Sequence, residues 1–279
     1  MTAISSFFST LAITAIAKAQ EGVPMPTPSF PKPMQLNLQV PVTPVAERIH
    51  DFHNFLLVII TVITIFVLLL ILICVFRFNE KTNPIPSKTS HNTLLEVIWT
   101  GVPILILVAI AVPSFRLLYF MDRTTEAEMT LKVTGNQWFW SYEYPDQEIS
   151  FDALALTDDM IGEGQHRLLE TDRHVVIPVD TTIRLLFTAN DVLHAWTIPA
   201  FGVKLDTVPG RTNETWTRVT KEGRYYGQCS ELCGVDHSFM PIVVDVVSKE
   251  AFDAWVKKEQ EAAALPLERA AIQLASASR

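Results

Sequence analysis

Two long stretches of this chain carry no polar rhythm at all. Phe55 to Phe76 is an uncharged run of 22 residues, about 33 Å as a helix, against a bilayer hydrocarbon core of about 30 Å. Val97 to Val112 is uncharged and apolar apart from Thr100. With Leu94 and the flank to Tyr119 it is long enough to cross as well. The pattern predicts transmembrane helices over 51–78 and 94–120, with Pro103 and Pro113 bending or ending the second. From about Met129 to Val247 the rhythm changes to alternation: Ile183, Leu185 and Phe187 share one face, and Thr182, Arg184 and Thr188 the other. Leu131 and Val133 follow the same period, and Asn190-Asp191, Pro209-Gly210 and Glu222-Gly223 mark turns. A domain over 129–248 of about 120 residues suffices for a Greek-key sandwich. Beyond it, Ser248 caps a short helix that buries Phe252, Trp255 and Val256, followed by an Ala-rich tail to 279.

Charge orients this plan. The connection over 79–93 and its approach carry Arg77, Lys81 and Lys88 against Glu80, so the loop belongs in the cytoplasm and both chain ends on the outer face of the membrane. Residues 1–19 end in Ala17-Lys18-Ala19, a small-x-small pattern that predicts a signal peptide cleaved after Ala19. Residues 20–50 then read as a Pro-rich extended arm with no packed element. The net charge of −8 gives no reason to expect a nucleic-acid partner.

The chemistry is concentrated in one loop. Cys229-Ser230-Glu231-Leu232-Cys233 is followed by His237 and Met240, and His194 lies 35 residues before Cys229. Two thiols, two imidazoles and a thioether form the soft ligand set of copper electron-transfer centres. Two thiolates are one more than a mononuclear blue-copper site uses, and the surplus suggests two bridged copper ions. Cys-x-x-x-Cys also suits a disulfide, and Cys with His suits zinc. His237 and Met240 have no reason to follow a disulfide, and a thioether adds little to zinc.

The motifs His194-Ala195-Trp196-Thr197-Ile198-Pro199, Gly227 to Gly234, Met240-Pro241, Gly135 to Glu143 and Leu95 to Trp99 together resemble subunit II of haem-copper cytochrome c oxidases, in the alphaproteobacterial form. The resemblance covers nearly the whole chain. It implies a two-helix transmembrane hairpin followed by an all-β cupredoxin-like domain with a dinuclear CuA centre. Electrons would arrive from cytochrome c and leave to haem in subunit I, where oxygen is reduced and protons are pumped; no haem would sit on this chain, and subunit III would be a further neighbour.

Carried over by position, the resemblance makes Cys229 and Cys233 bridging thiolates, His194 and His237 equatorial ligands, and Met240 an axial ligand. Glu231 would offer its backbone carbonyl to copper and its side chain to a Mg or Mn ion shared with subunit I. Trp138 would receive electrons, and Glu96 would take up protons at the cytoplasmic end of the second span. Glu143, Asp152, Asp172 and Asp191 would dock the basic face of cytochrome c. Glu143, Asp152 and Asp172 belong to a strongly acidic stretch, since Glu143 to Asp172 holds nine acids and one Arg. The chain departs from the family pattern at Asn136 and Phe139, where hydrogen bonding around Trp138 should differ, and at Asp236, an acid expected either to stabilise oxidised copper or to hydrogen-bond His237, lowering the potential. A quinol-oxidising relative would lack the copper ligands, and a fused cytochrome c domain would need Cys-x-x-Cys-His, which three cysteines at 74, 229 and 233 do not form. A copper carrier would hold its metal in an exposed, exchangeable site, and nitrous oxide reductase would need a large additional domain.

Overall fold

The structure, a computed structural model, describes residues 25–123 and 126–277. The expected leader over 1–19 and its cleavage point lie outside the described residues. The chain divides into a helical unit, Glu47–Met121, and a second unit formed by the segments on either side of it.

In the helical unit, α1 spans Pro44–Arg77 and α2 spans Thr93–Met121. Their mid-portions present Val, Ile, Leu and Phe outward on every side, as a lipid-facing helix does. α1 starts well before the expected 51, because Thr43 accepts the N–H of Ala46 at 3.0 Å and Pro44 occupies the first helical position. The apolar run marked the membrane-thick part of the helix, and the polar turns before it are helical too. α2 is capped by Asn92, whose Oδ1 accepts from Leu95 N at 3.2 Å. Neither Pro103 nor Pro113 ends α2, contrary to one of the two outcomes expected for them; apolar membrane helices tolerate proline where soluble ones stop. The Arg48 guanidinium lies 3.5 Å from the centre of the Phe120 ring, tying the start of α1 to the end of α2.

Among the described residues, the other unit is built on ten strands. Met129–Asn136 (β1), Phe139–Tyr144 (β2), Ile149–Ala153 (β3), Ile183–Ala189 (β5) and Asn213–Thr217 (β8) form a five-stranded sheet in the order β3-β2-β1-β5-β8. Val175–Pro178 (β4), Gly223–Gln228 (β9) and Pro241–Val247 (β10) form a second in the order β4-β10-β9, and His194–Ile198 (β6) pairs with Val203–Thr207 (β7). β1 runs parallel to β5 in a register that sets Leu131 beside Leu185 and Val133 beside Phe187. All four are buried, together with Ile242, Val244 and Val246 of β10, so the alternation read from sequence faces one core. Tyr144 crosses that core: its hydroxyl donates to Val176 O at 3.1 Å and accepts from Val176 N at 3.0 Å.

The Pro-rich arm is packed at its two ends, around 26–30 and 42–43, which corrects the extended-arm reading there, while 31–40 stay largely exposed as an extended arm would. Pro26 O accepts from Arg224 N at 2.8 Å, Phe30 stacks on His166 with centroids 4.3 Å apart, and Val42 bonds both Ala200 and Thr220. Prolines remove donors but leave carbonyls free to accept, and Phe30 and Val42 supply apolar surface to bury. At the other end, Ser248 Oγ accepts from Ala251 N at 3.2 Å and opens α3, Lys249–Ala277. This helix continues through the stretch expected as a tail, and Trp255 packs 5.3 Å from Tyr144.

On the second sheet, Asp245 accepts Arg224 Nε at 2.7 Å and Nη2 at 2.9 Å, and lies 2.9 Å from His174 Nδ1. Burial alone would raise the Asp245 pKa, but His174 and Arg224 outweigh it and hold the carboxyl below its ordinary range. The native pKa therefore lies below the unfolded value of about 4. The stability this provides is complete above that pH and is lost as pH falls through the native value. Asp245→Asn strands a half-buried guanidinium, so it should cost about 3 kcal/mol near neutrality. It should also flatten the acid limb of stability, measured as thermal unfolding of the full chain against pH.

Candidate metal centre

The ligand candidates converge from two directions. His194 opens β6, while Cys229 and Cys233 lie in the loop between β9 and β10. The loop is fastened at both ends: Cys229 N donates to Met240 O and Ser230 N to Ala195 O, each at 3.0 Å. The coordinating atoms of His194, Cys229 and Cys233 all lie within 4.8 Å of one another, and all three residues are buried. The two sulfurs are 3.9 Å apart and the cysteines are free, far beyond a disulfide bond of about 2.05 Å. His237 joins through Cys233, with Nδ1 3.5 Å from that sulfur. Met240 is buried in the same core cluster as both cysteines. The carbonyl oxygen of Glu231 lies 3.3 Å from Cys229 Sγ, while the residue itself is exposed.

This donor set fits copper. His194 is fully buried, its Nε2 is 2.8 Å from Asp191 Oδ1, and its Nδ1 has no hydrogen-bond partner. A buried nitrogen without a partner is costly unless something binds it, and here it belongs to the residue whose ligating atoms cluster with two soft thiols. Burial would raise the Cys229 pKa, but the adjoining His194 ring and the backbone around the loop prevail and bring the thiol down to about 7. Burial and the neighbouring Cys229 charge push Cys233 up to about 12. Near neutrality the pair thus readily yields one thiolate, the form a metal takes, and metal binding must displace the second proton.

Trp138 is half-buried beside the loop. Its Nε1 donates to Cys233 O at 3.3 Å, and a Cβ on Gly234 would come within 3.0 Å of its ring. Trp140 is fully buried and meets His194 edge-on, centroids 5.9 Å apart. Two residues stood in the Gly135 to Glu143 motif with no role assigned to them from the sequence. Gln137 Nε2 donates to the same Cys233 carbonyl at 2.8 Å. Gly135 leaves room for His194, since a Cβ there would sit 2.7 Å from the imidazole Cδ2. Only the coincidence of such contacts in three dimensions exposes either role.

The departures have concrete consequences. Asn136 binds Thr134 O and Ser141 Oγ and accepts from Asn190 Nδ2 at 2.8 Å. Its amide supports the turn before His194 instead of the Trp138 ring, whose N–H is committed to Cys233. No hydrogen bond links the Asp236 carboxylate to His237 among the described residues, contrary to one of the two roles expected for that acid; His237 Nδ1 faces Cys233 Sγ instead. The short helical turn His237–Phe239 faces the Asp236 backbone, with Phe239 N donating to Asp236 O at 2.9 Å. Of the remaining acids, Glu143 is exposed and 2.8 Å from Lys132 Nζ, Asp152 accepts the Ser141 hydroxyl at 2.6 Å, and Asp172 accepts Leu154 N at 2.7 Å. Glu143 and Asp152 lie on one face of the β2–β3 pair, where Ser141 opposes Asp152. Glu96 lies in the first turn of α2, in the helical unit.

Comparison with known proteins agrees with this architecture. Residues 129–247 match the family described as cytochrome C oxidase subunit II, periplasmic domain, and residues 31–117 match cytochrome C oxidase subunit II, transmembrane domain. The chain is 52% identical over 237 residues to the probable cytochrome c oxidase subunit 2 of Rickettsia bellii, covering 85% of this chain and 88% of that one. It is 46% identical over 266 residues to cytochrome c oxidase subunit 2 of Cereibacter sphaeroides, covering 89% and 87%. The crystal structure of the periplasmic domain of subunit II of cytochrome oxidase of Bradyrhizobium japonicum shares 48% identity, with a TM-score of 0.47, over 50% of this chain and 98% of that one.

Proposed function

The chain belongs to the cytochrome c oxidase subunit II family, and on that premise we propose that it receives electrons from cytochrome c at a dinuclear CuA centre. It passes them to haem in subunit I, where oxygen is reduced to water and protons are pumped. The observation that carries this reading is the buried trio of His194, Cys229 and Cys233 with their ligand atoms within 4.8 Å, in which the His194 ring keeps one nitrogen, Nδ1, without a hydrogen-bond partner. Cys229, Cys233, His194, His237 and Met240 would hold the copper, with the Glu231 carbonyl as a further ligand. Bound copper supplies a one-electron acceptor and donor.

The protein's own groups prepare that step. The loop bonds from Cys229 N and Ser230 N fix the ligand spacing before metal arrives, so little rearrangement accompanies a change of charge. Trp138 bonds the Cys233 carbonyl directly, which suits it to pass an electron inward from a docked partner. Exposed Glu143, Asp152 and Asp172 give that face the sign to attract a basic cytochrome c and raise its association rate. The exposed Glu231 side chain is available to a Mg or Mn ion shared with subunit I, a hard cation suited to carboxylate oxygen. Glu96, an acid in the first turn of α2, would serve proton uptake. Subunit III completes the assembly. The chain would be made with a leader over 1–19 and sit in the bacterial inner membrane with both ends and the copper domain on the periplasmic side.

The test is copper stoichiometry and electron paramagnetic resonance on the copper-loaded full chain in detergent. Two coppers per chain with hyperfine structure from two equivalent nuclei is the expected result. A four-line pattern from one copper, or oxidised cysteines with no signal, would overturn the dinuclear reading. In the same chain, Trp138→Phe is expected to keep that spectrum but to slow reduction by cytochrome c, followed by stopped-flow absorbance.

A further inference from the structure

Asp191 differs from the other acids around the site in where its bonds go. Oδ1 lies 2.8 Å from His194 Nε2 and accepts Val192 N at 2.6 Å, while Oδ2 accepts Gln137 N at 2.6 Å. Its partners thus sit on two segments, the strand end carrying His194 and the β1–β2 turn carrying Gln137 and Trp138. The turn that holds Asp191 is itself anchored, because Asn190 N donates to Gly135 O at 3.1 Å and Asn190 Nδ2 to Asn136 Oδ1 at 2.8 Å.

We propose that Asp191 is a positioning residue of the metal centre: its carboxylate aims the His194 ring at the cysteines and holds the Gln137–Trp138 segment against Cys233. The inference rests on the copper reading above and replaces the docking role expected for this acid. An imidazole carries one lone-pair nitrogen when neutral, and a hydrogen bond from Nε2–H to a carboxylate leaves that lone pair on Nδ1. Nδ1 is the nitrogen of His194 with no partner in the structure, so the bond to Asp191 selects the tautomer a metal needs. Gly135 on one side and Trp140 on the other leave the ring little room to turn. The second oxygen acts at a distance. By holding the Gln137 backbone it sets the Gln137 amide and the Trp138 indole, both of which donate to Cys233 O. One carboxylate therefore fixes a ligand ring and the residues packed on a ligand cysteine.

The proposal separates from docking in the absence of any partner. In the full chain in detergent, Asp191→Ala should release copper to a competing chelator about 10- to 100-fold more readily than the unaltered chain, with altered copper hyperfine splitting. Asp191→Asn keeps an oxygen for His194 Nε2–H but presents an N–H to Gln137 N, so it should restore most copper retention while leaving the Trp138 fluorescence shifted. If the alanine variant fails to fold, the asparagine variant decides by that pairing of retained copper with shifted fluorescence. Unchanged copper retention and spectrum in both variants, with only the cytochrome c concentration dependence altered, would overturn the proposal and leave Asp191 a docking acid. An unaltered chain that binds no copper would overturn the metal-centre reading and this proposal with it.

Discussion

Cys229→Ser is expected to abolish electron acceptance by this chain. A hydroxyl is a hard and weakly acidic donor where the site supplies a soft thiol already drawn down to about 7. The substitution removes the sulfur that sits 3.9 Å from Cys233 Sγ and 3.3 Å from the Glu231 carbonyl, so the two-sulfur core cannot form. Copper content should fall from two to one or fewer per chain, and reduction by cytochrome c should slow by about 100-fold or more. Metal analysis with stopped-flow reduction reads both. A serine variant that still holds two coppers with an unchanged spectrum would remove Cys229 from the centre. The fold should survive, because Cys229 N keeps its bond to Met240 O whatever side chain it carries.

The features that sequence made legible were local ones. Phe55 to Phe76 declares a span because every face of the helix must be apolar, and the alternation of Ile183, Leu185 and Phe187 survives as one buried face of β5. The candidate ligands Cys229, Cys233, His237 and Met240 stand within one loop, so their chemistry could be read before their geometry. What sequence did not reveal depends on partners far apart along the chain. Asp191 bonds Gln137 across 54 residues, and Gln137 bonds Cys233 across 96. No local pattern distinguishes such an acid from one on a solvated face. The Pro-rich arm failed for a related reason: proline density argues against a strand but says nothing about whether Phe30 finds His166 and Tyr226. The length of α1 was missed because an N-cap such as Thr43 lies outside the apolar run that announces the helix.

Gly227→Ala is expected to have a large effect without touching a candidate ligand. Gly227 lies in β9, two residues before Cys229, and pairs with Ile242 of β10. On its open side β6 passes so close that a Cβ would stand 1.9 Å from the Thr197 carbonyl oxygen and 3.0 Å from Ile198 Cγ1. The first of these is backbone and cannot swing away as a flexible side chain would. Relief requires β6 and β9 to separate by more than about 1 Å in a densely packed core. These are the segments that deliver His194 and Cys229, and Ser230 N bonds Ala195 O across the same junction. A methyl group there therefore acts as a wedge between the two halves of the ligand set. The cost should be about 3 kcal/mol or more, together with loss of copper retention although every ligand is intact. Thermal unfolding and chelator competition on the full chain measure the two effects. Gly101→Ala, in α2, is the control: nothing lies within 4 Å of a Cβ there, and alanine favours a helix, so stability should be unchanged or slightly raised. If Gly227→Ala retained copper and stability like that control, the close crossing of β6 over β9 would not be what brings His194 to the cysteines.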